Sequence, residues 1–117
     1  MRIITLIENT PGAPGCVHEH GLSLYVETAR HTLLMDTGAT GAFADNAAAL
    51  GLDLSRVDTV VLSHGHYDHA GGLWRLVELA PHAQIYMQRG AGRDFYHGDR
   101  YIGIDKAILD LPNLHLL

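Results

Sequence analysis

Between Ser63 and Gly72 the chain reads Ser-His-Gly-His-Tyr-Asp-His-Ala-Gly-Gly. Four metal-capable side chains, His64, His66, Asp68 and His69, thus fall within six residues. In a locally extended segment His64 and His66 point the same way, because side chains repeat every two residues. Asp68 and His69 follow where the chain bends toward a helix, so they can aim at the same volume from another direction. Imidazole nitrogens with a carboxylate suit zinc, iron or manganese, and this ligand set alone does not choose among them. A polar loop that is histidine-rich by chance is the competing explanation. Four such groups at the end of an apolar strand, just ahead of Gly71-Gly72, weigh against it. Gly65 is expected to permit an unusual backbone angle, and the glycine pair to allow close approach of helix and site.

The elements that must position this cluster can be read from periodicity. Arg2 to Glu8 is β-branched and nearly all apolar, which suits a strand covered on both faces. Leu22 to Glu27 alternates, and Thr32 to Met35 reads as the return strand of a hairpin that ends at Asp36-Thr-Gly38. Phe43, Ala47 and Leu50 share one helical face, with Gly51 just past the end. Val57 to Leu62 is a further strand leading into the histidine cluster. A second helix is expected from Ala70 to Ala80, with Leu73, Leu76, Val77 and Ala80 on one face and Pro81 at the exit. Gln84 to Gln88 reads as a strand. Arg89 to Lys106 reads as loop, with a short strand at Tyr101 to Ile104. The order argues for an α/β sheet with a hairpin at one side.

Composition narrows the class of partner. Eight Lys+Arg against thirteen Asp+Glu give a formal net charge of -5 over 117 residues, an unfavourable balance for a nucleic-acid binder. No apolar run approaches the ~20 residues that span a bilayer, and no membrane association is expected. The start of the chain lacks the pattern of a signal peptide, and the single Cys16 has no internal partner. A cytoplasmic location is therefore expected.

The segment Ser63 to Gly72 resembles the H-x-H-x-D-H signature of the metallo-β-lactamase superfamily, and Leu33-Leu-Met-Asp-Thr-Gly38 resembles that superfamily's earlier Asp-bearing motif. Glu8-Asn-Thr10, Glu19-His-Gly-Leu-Ser-Leu-Tyr25 and Tyr101-Ile-Gly-Ile104 are similar to a subfamily of dihydropterin-forming phosphate synthases. The resemblance implies that His64 and His66 ligate a first metal and that Asp68 and His69 ligate a second. It also gives Asp68 a catalytic role and makes Asp36 a supporting acidic group behind the ligands. His20 falls in a matching stretch and is expected to line the site. By the same resemblance the metals, with zinc first and iron or manganese as options, hold a hydroxide. A bound cation lowers the pKa of water from about 15.7 to near 7. The implied activity is hydrolysis of an ester or phosphoryl group on a small, anionic substrate.

The family fold is an αββα sandwich of two similar halves, and residues 1–117 are expected to supply one: a mixed sheet with helices on one face. The family's downstream ligands, two histidines and an aspartate, have no counterpart that we assign. His82 lies thirteen residues beyond His69, and His97 and His115 lie in poorly defined segments. Apolar strands with helices on one side leave the other side bare, and such a patch usually marks an interface. A homodimer packing sheet on sheet about a two-fold axis, or another chain covering that face, is expected.

Two alternatives stand beside metal-dependent hydrolysis. The chain can be a metal-binding but catalytically incomplete half-domain, whether shortened or completed by a partner. Alternatively, Asp36-Thr-Gly-Ala39 resembles the active-site turn of small dimeric aspartic proteases, in which each chain gives one Asp to a shared pair. The helical periods and the unexplained histidine cluster count against the second. Tyr67 reads as packing or as a substrate contact. Arg89, Arg93 and Arg100 read as solvated arginines, with grouping around an anionic substrate as the functional alternative.

Overall fold

Burial alternates along the central strands, and this alternation shows which side of the sheet is packed. The computed structural model describes residues 1–117. Its strands are β1 (Arg2–Ile7), β2 (Ser23–Glu27), β3 (Thr32–Met35), β4 (Thr59–Val61), β5 (Gln84–Met87), β6 (Tyr96–His97), β7 (Arg100–Tyr101) and β8 (Leu114–Leu116). The helices are α1 (Ala42–Ala49), α2 (Tyr67–Ala70) and α3 (Leu73–Leu79). One six-stranded mixed sheet has the order β1-β2-β3-β4-β5-β8, and β6 and β7 form a separate small hairpin. β1, β2 and β3 pair antiparallel, whereas β3, β4, β5 and β8 run parallel. Each parallel step needs a long crossover, and α1 and the α2–α3 pair fall within two of them.

The register row Tyr25, Leu34, Val60 and Ile85 is buried against the helices together with Phe43, Ala47, Leu73 and Leu76. The two opposite rows run Ile3, Val26, Leu33, Thr59, Gln84 and Thr5, Leu24, Met35, Val61, Tyr86, His115. None of these residues is fully buried. The bare second face expected from the sequence is thus present in the isolated chain. No helix is long and apolar enough to cross a membrane.

Four expectations about the elements need correction. β1 is not covered on both faces: only Leu6 and Ile7 are buried, and Ile3 is 57% exposed, because β1 is an edge strand. The second helix does not begin at Ala70. One turn, α2, already includes Asp68 and His69, and the chain breaks at Gly71-Gly72 before α3 begins. The break arises where the chain presses on the loop after β3: a Cβ on Gly71 would lie 2.1 Å from the Ala39 carbonyl, and one on Gly72 2.4 Å from that of Thr37. The expected strand at Tyr101 to Ile104 survives only at Tyr101, while Ile104 turns into the core. β8 was not expected at all. Three residues are too few to show a period, and its place is set by pairing with β5.

α1 is tied to the sheet by a buried side chain. Asn46 Nδ2 donates to the carbonyls of Leu6 (2.7 Å) and Val17 (2.8 Å), and its Oδ1 accepts from Val17 N (2.9 Å). Losing such a partner strands buried backbone groups. Asn46→Ala is expected to lower unfolding free energy by about 1–3 kcal/mol, read from the urea midpoint at unchanged slope; an unaltered midpoint would contradict this.

Candidate metal centre

Asp36 and the histidine cluster occupy the same end of the sheet because each follows the carboxyl end of a parallel strand, β3 and β4 respectively. That is where open α/β sheets collect ligands. The loop after β3 is pinned to α2: Thr37 N donates to the His69 carbonyl (2.7 Å), and Gly72 N donates to Thr37 Oγ1 (3.0 Å). Glu19 secures the same loop from the other side, accepting from Ala39 N, Thr40 N and Thr40 Oγ1.

Asp36 is fully buried and sits at φ 60°, a left-handed backbone that Asp tolerates better than most residues. Its carboxylate accepts from Ser63 N (2.7 Å), Ser63 Oγ (2.6 Å) and His69 Nδ1 (2.8 Å). Since the Ser63 hydroxyl proton goes to Asp36, Ser63 Oγ accepts from His64 Nδ1 at 2.8 Å. One chain of hydrogen bonds, His64 to Ser63 to Asp36 to His69, therefore holds both imidazoles by Nδ1 and leaves each Nε2 free. This is the arrangement by which second-layer groups orient metal-ligating histidines. No pattern along the chain marks Ser63 for this role, although it stands directly before His64.

The three rings converge. His64 lies with its centroid 4.7 Å from that of His66 and 4.1 Å from that of His69. Ligand-capable atoms of His64, His66 and Asp68 all lie within 4.8 Å of one another, as do those of Asp36, His64 and His69. Burial, then the neighbouring His69 and His66, pushes the His64 imidazole below its ordinary pKa. These effects favour the neutral ring, the form that binds a cation.

His69 Nε2 faces Asp68 Oδ2 at 3.5 Å. With Nδ1 donating to Asp36, an imidazole nitrogen lone pair and a carboxylate oxygen confront each other unless a positive centre, a second proton or a cation, lies there. The donor set of His64, His66, Asp68 and His69 therefore fits a transition-type cation.

Gly65 needs another explanation than backbone angle, since its φ is not positive. A Cβ there would lie 1.9 Å from the Ala91 carbonyl, so the residue is glycine to let the motif pack against the segment after β5.

His20 does reach the site. Gly21 N donates to Asn9 Oδ1 (2.9 Å), which turns Asn9 Nδ2 onto His20 Nδ1 (3.1 Å), leaving His20 Nε2 to donate to Asp68 Oδ2 at 3.1 Å. Asn9 lies in a stretch quoted for the subfamily, but the sequence shows no contact between it and His20. A cavity of about 240 Å³ is lined by His20, His66, Tyr67, Asp68, His97, Arg100 and Ile102. His82 precedes β5 and so lies at the opposite end of the sheet. His115 lies on the open sheet face, stacked on Tyr86 and bonded to Gln84.

An aspartic protease is excluded. Four parallel strands with helical crossovers replace the nearly all-β fold, and Asp36 is enclosed by donors rather than presented for pairing.

Residues 18–112 match the family model described as the metallo-beta-lactamase superfamily. A hydroxyacylglutathione hydrolase of Aeromonas salmonicida is 38% identical over 68 residues, 58% of this chain and 26% of that protein. A 7,8-dihydropterin-6-methyl-4-(beta-D-ribofuranosyl)-aminobenzene-5'-phosphate synthase of Methanocaldococcus jannaschii is 30% identical over 84 residues, 67% of this chain and 29% of that one. Among solved structures, the metallo-β-lactamase MIM-1 from Novosphingobium pentaromativorans superposes with a TM-score of 0.62 at 23% identity, covering 83% of this chain and 39% of its own. The match spans between 11% and 36% of the length of the chain's curated relatives. Its half-sandwich fold, its histidine motif at the strand ends and the family match over residues 18–112 together place the chain in the metallo-β-lactamase superfamily.

Proposed function

We propose that the chain takes part in metal-dependent hydrolysis of an ester or phosphoryl group on a small anionic substrate. His64, His66, Asp68 and His69 would be the ligands. The observation that carries this is the hydrogen-bond chain through Asp36 and Ser63, which leaves His64 Nε2 and His69 Nε2 free beside Asp68. Zinc is the first choice of metal and iron or manganese the others, since the ligand chemistry accepts all three. When bound, such an ion makes water a nucleophile near neutral pH and polarises the oxygen of the group attacked.

The chain's own residues would do the rest. Asp36 and Ser63 hold two rings at fixed tautomers. His20, set by Asn9, holds Asp68 from the open side and can pass a proton at its Nε2. Relatives named as a hydrolase and a phosphate synthase support this class of chemistry without naming a substrate for this chain.

A second reading, a metal-binding module that does not turn over alone, is favoured by one observation. Besides the motif, Asp36 and His20, His97 is the one other metal-capable side chain at the cavity, it stands outside both clusters of converging ligand atoms, and no further carboxylate lines the cavity. The proposal therefore includes a partner: a second copy of this chain on the open sheet face. That face carries Leu24, Val26, Leu33, Met35 and Val61 on its central strands beside Thr59, and mixes apolar Ile3 and Tyr86 with Thr5, Gln84 and His115 on its outer strands, a mostly apolar surface of the kind that marks an interface.

Three measurements follow. The zinc-loaded chain should hydrolyse a generic thioester or phosphodiester, and His66→Ala should remove both that activity and tight zinc binding. Full zinc stoichiometry in His66→Ala would defeat the ligand assignment, and a zinc-loaded but inert wild type would favour the second reading. Asp36→Asn keeps shape but sets an amide N–H₂ among donors; zinc affinity should fall about 10- to 100-fold, measured by competition with a chelator. Sedimentation should find a particle of two chains, and a stable, well-folded monomer would remove the dimer.

A further inference from the structure

The β6–β7 hairpin is folded over the histidine motif. Tyr67 N donates to the Ile102 carbonyl (2.9 Å), Ile102 N donates to the Phe95 carbonyl (2.8 Å), and the Phe95 ring lies 5.2 Å from that of His66. The tight turn, with Gly98 at φ 61°, brings His97 and Arg100 to the lining of the cavity that His20 also lines. Arg100 is held there: its Nη2 donates to Tyr67 Oη at 3.1 Å, and its guanidinium carbon lies 5.0 Å from the centre of the Tyr67 ring.

A guanidinium stacked on an aromatic ring is oriented by that ring and keeps its remaining N–H groups for a ligand. No carboxylate lies within 4.0 Å of Arg100, so its charge has no partner within the chain. The Tyr67 hydroxyl, already accepting from Arg100, retains its own proton to donate. The only carboxylate lining the cavity is that of Asp68, a proposed metal ligand. Around the cavity Arg100, the Tyr67 hydroxyl and the His97 imidazole therefore offer a cation and two further polar groups, a set that suits an oxyanion.

From this placement we infer that Arg100, supported by Tyr67, is a specificity-determining residue that binds an anionic group of the substrate, a phosphate or a carboxylate, beside the metal centre. It deepens the proposed function and rests on it for the identity of the neighbouring centre. A fork-shaped donor favours planar or tetrahedral oxyanions over neutral groups. Arg100 is thus the arginine for which the sequence's second reading holds; neither Arg89 nor Arg93 lines this cavity.

Binding of inorganic phosphate and of acetate to the full chain, with zinc and without it, tests this by calorimetry. Arg100→Gln should weaken binding of at least one of the two about tenfold, the scale of one lost charge-assisted fork. Tyr67→Phe, which keeps the ring, should weaken it less, and Arg75→Gln, outside the cavity, should leave it unchanged. Which anion responds distinguishes a phosphate ester from a carboxylate as the natural group. Zinc content and far-UV dichroism of Arg100→Gln should match wild type, which separates loss of the subsite from loss of the fold. Equal affinity of Arg100→Gln and wild type for both anions, or no binding of either anion by wild type in either form, overturns the inference. An Arg100-dependent affinity in a chain that takes up no zinc would sustain the subsite while removing the metal reading.

Discussion

The candidate centre depends on one buried carboxylate. Asp36 is enclosed at the end of β3 in a left-handed backbone conformation, and its two oxygens take three hydrogen bonds from the motif on the neighbouring strand. A buried carboxylate without donors would be costly, so the fold requires Ser63 and His69 where they are. The same bonds decide which nitrogen of His64 and His69 is presented. Stability and ligand geometry thus come from a single set of contacts, and the left-handed residue is one of the places where local strain coincides with a functional site.

Around that carboxylate the chain is stitched by backbone contacts that tolerate no side chain. Gly71 and Gly72 seat α2 on the carbonyls after β3, and Gly65 seats the motif on Ala91. The consequence is a rigid cluster of rings at one end of a sheet whose other face is open. Half of the family's sandwich brings the four proposed ligands together at one end of the sheet and leaves the sheet's other face uncovered. That open face is why the proposed chemistry is tied to a partner surface.

Much of the fold was legible because it follows simple periods. The hairpin of β2 and β3, the α1 face of Phe43 and Ala47, and the strand before the motif all appear at or near their expected positions. The motif itself was legible as a cluster of ligand types, and Asp36 as an acidic residue at a strand end. What escaped was non-local. β8 is a three-residue strand defined by pairing with β5. The early turn α2 is set by packing against the Asp36 loop. The roles of Ser63, Asn9 and Arg100 each depend on a partner that periodicity cannot supply: Asp36 and His64 for Ser63, Gly21 and His20 for Asn9, Tyr67 for Arg100.

By itself the sequence determined the donor types and their crowding into six residues, the strand that delivers them, and the apolar strands and helical faces that make a sheet packed against helices. Those properties are written in residue identity and short-range spacing, which the local backbone converts directly into direction. Only the tertiary structure decided which nitrogen each histidine presents, that His20 meets Asp68, and that Arg100 stands unpaired over the cavity while His82 and His115 lie elsewhere. These depend on the order of strands and on crossovers between distant segments. No pattern along the chain records which side chains end within 3 Å of one another.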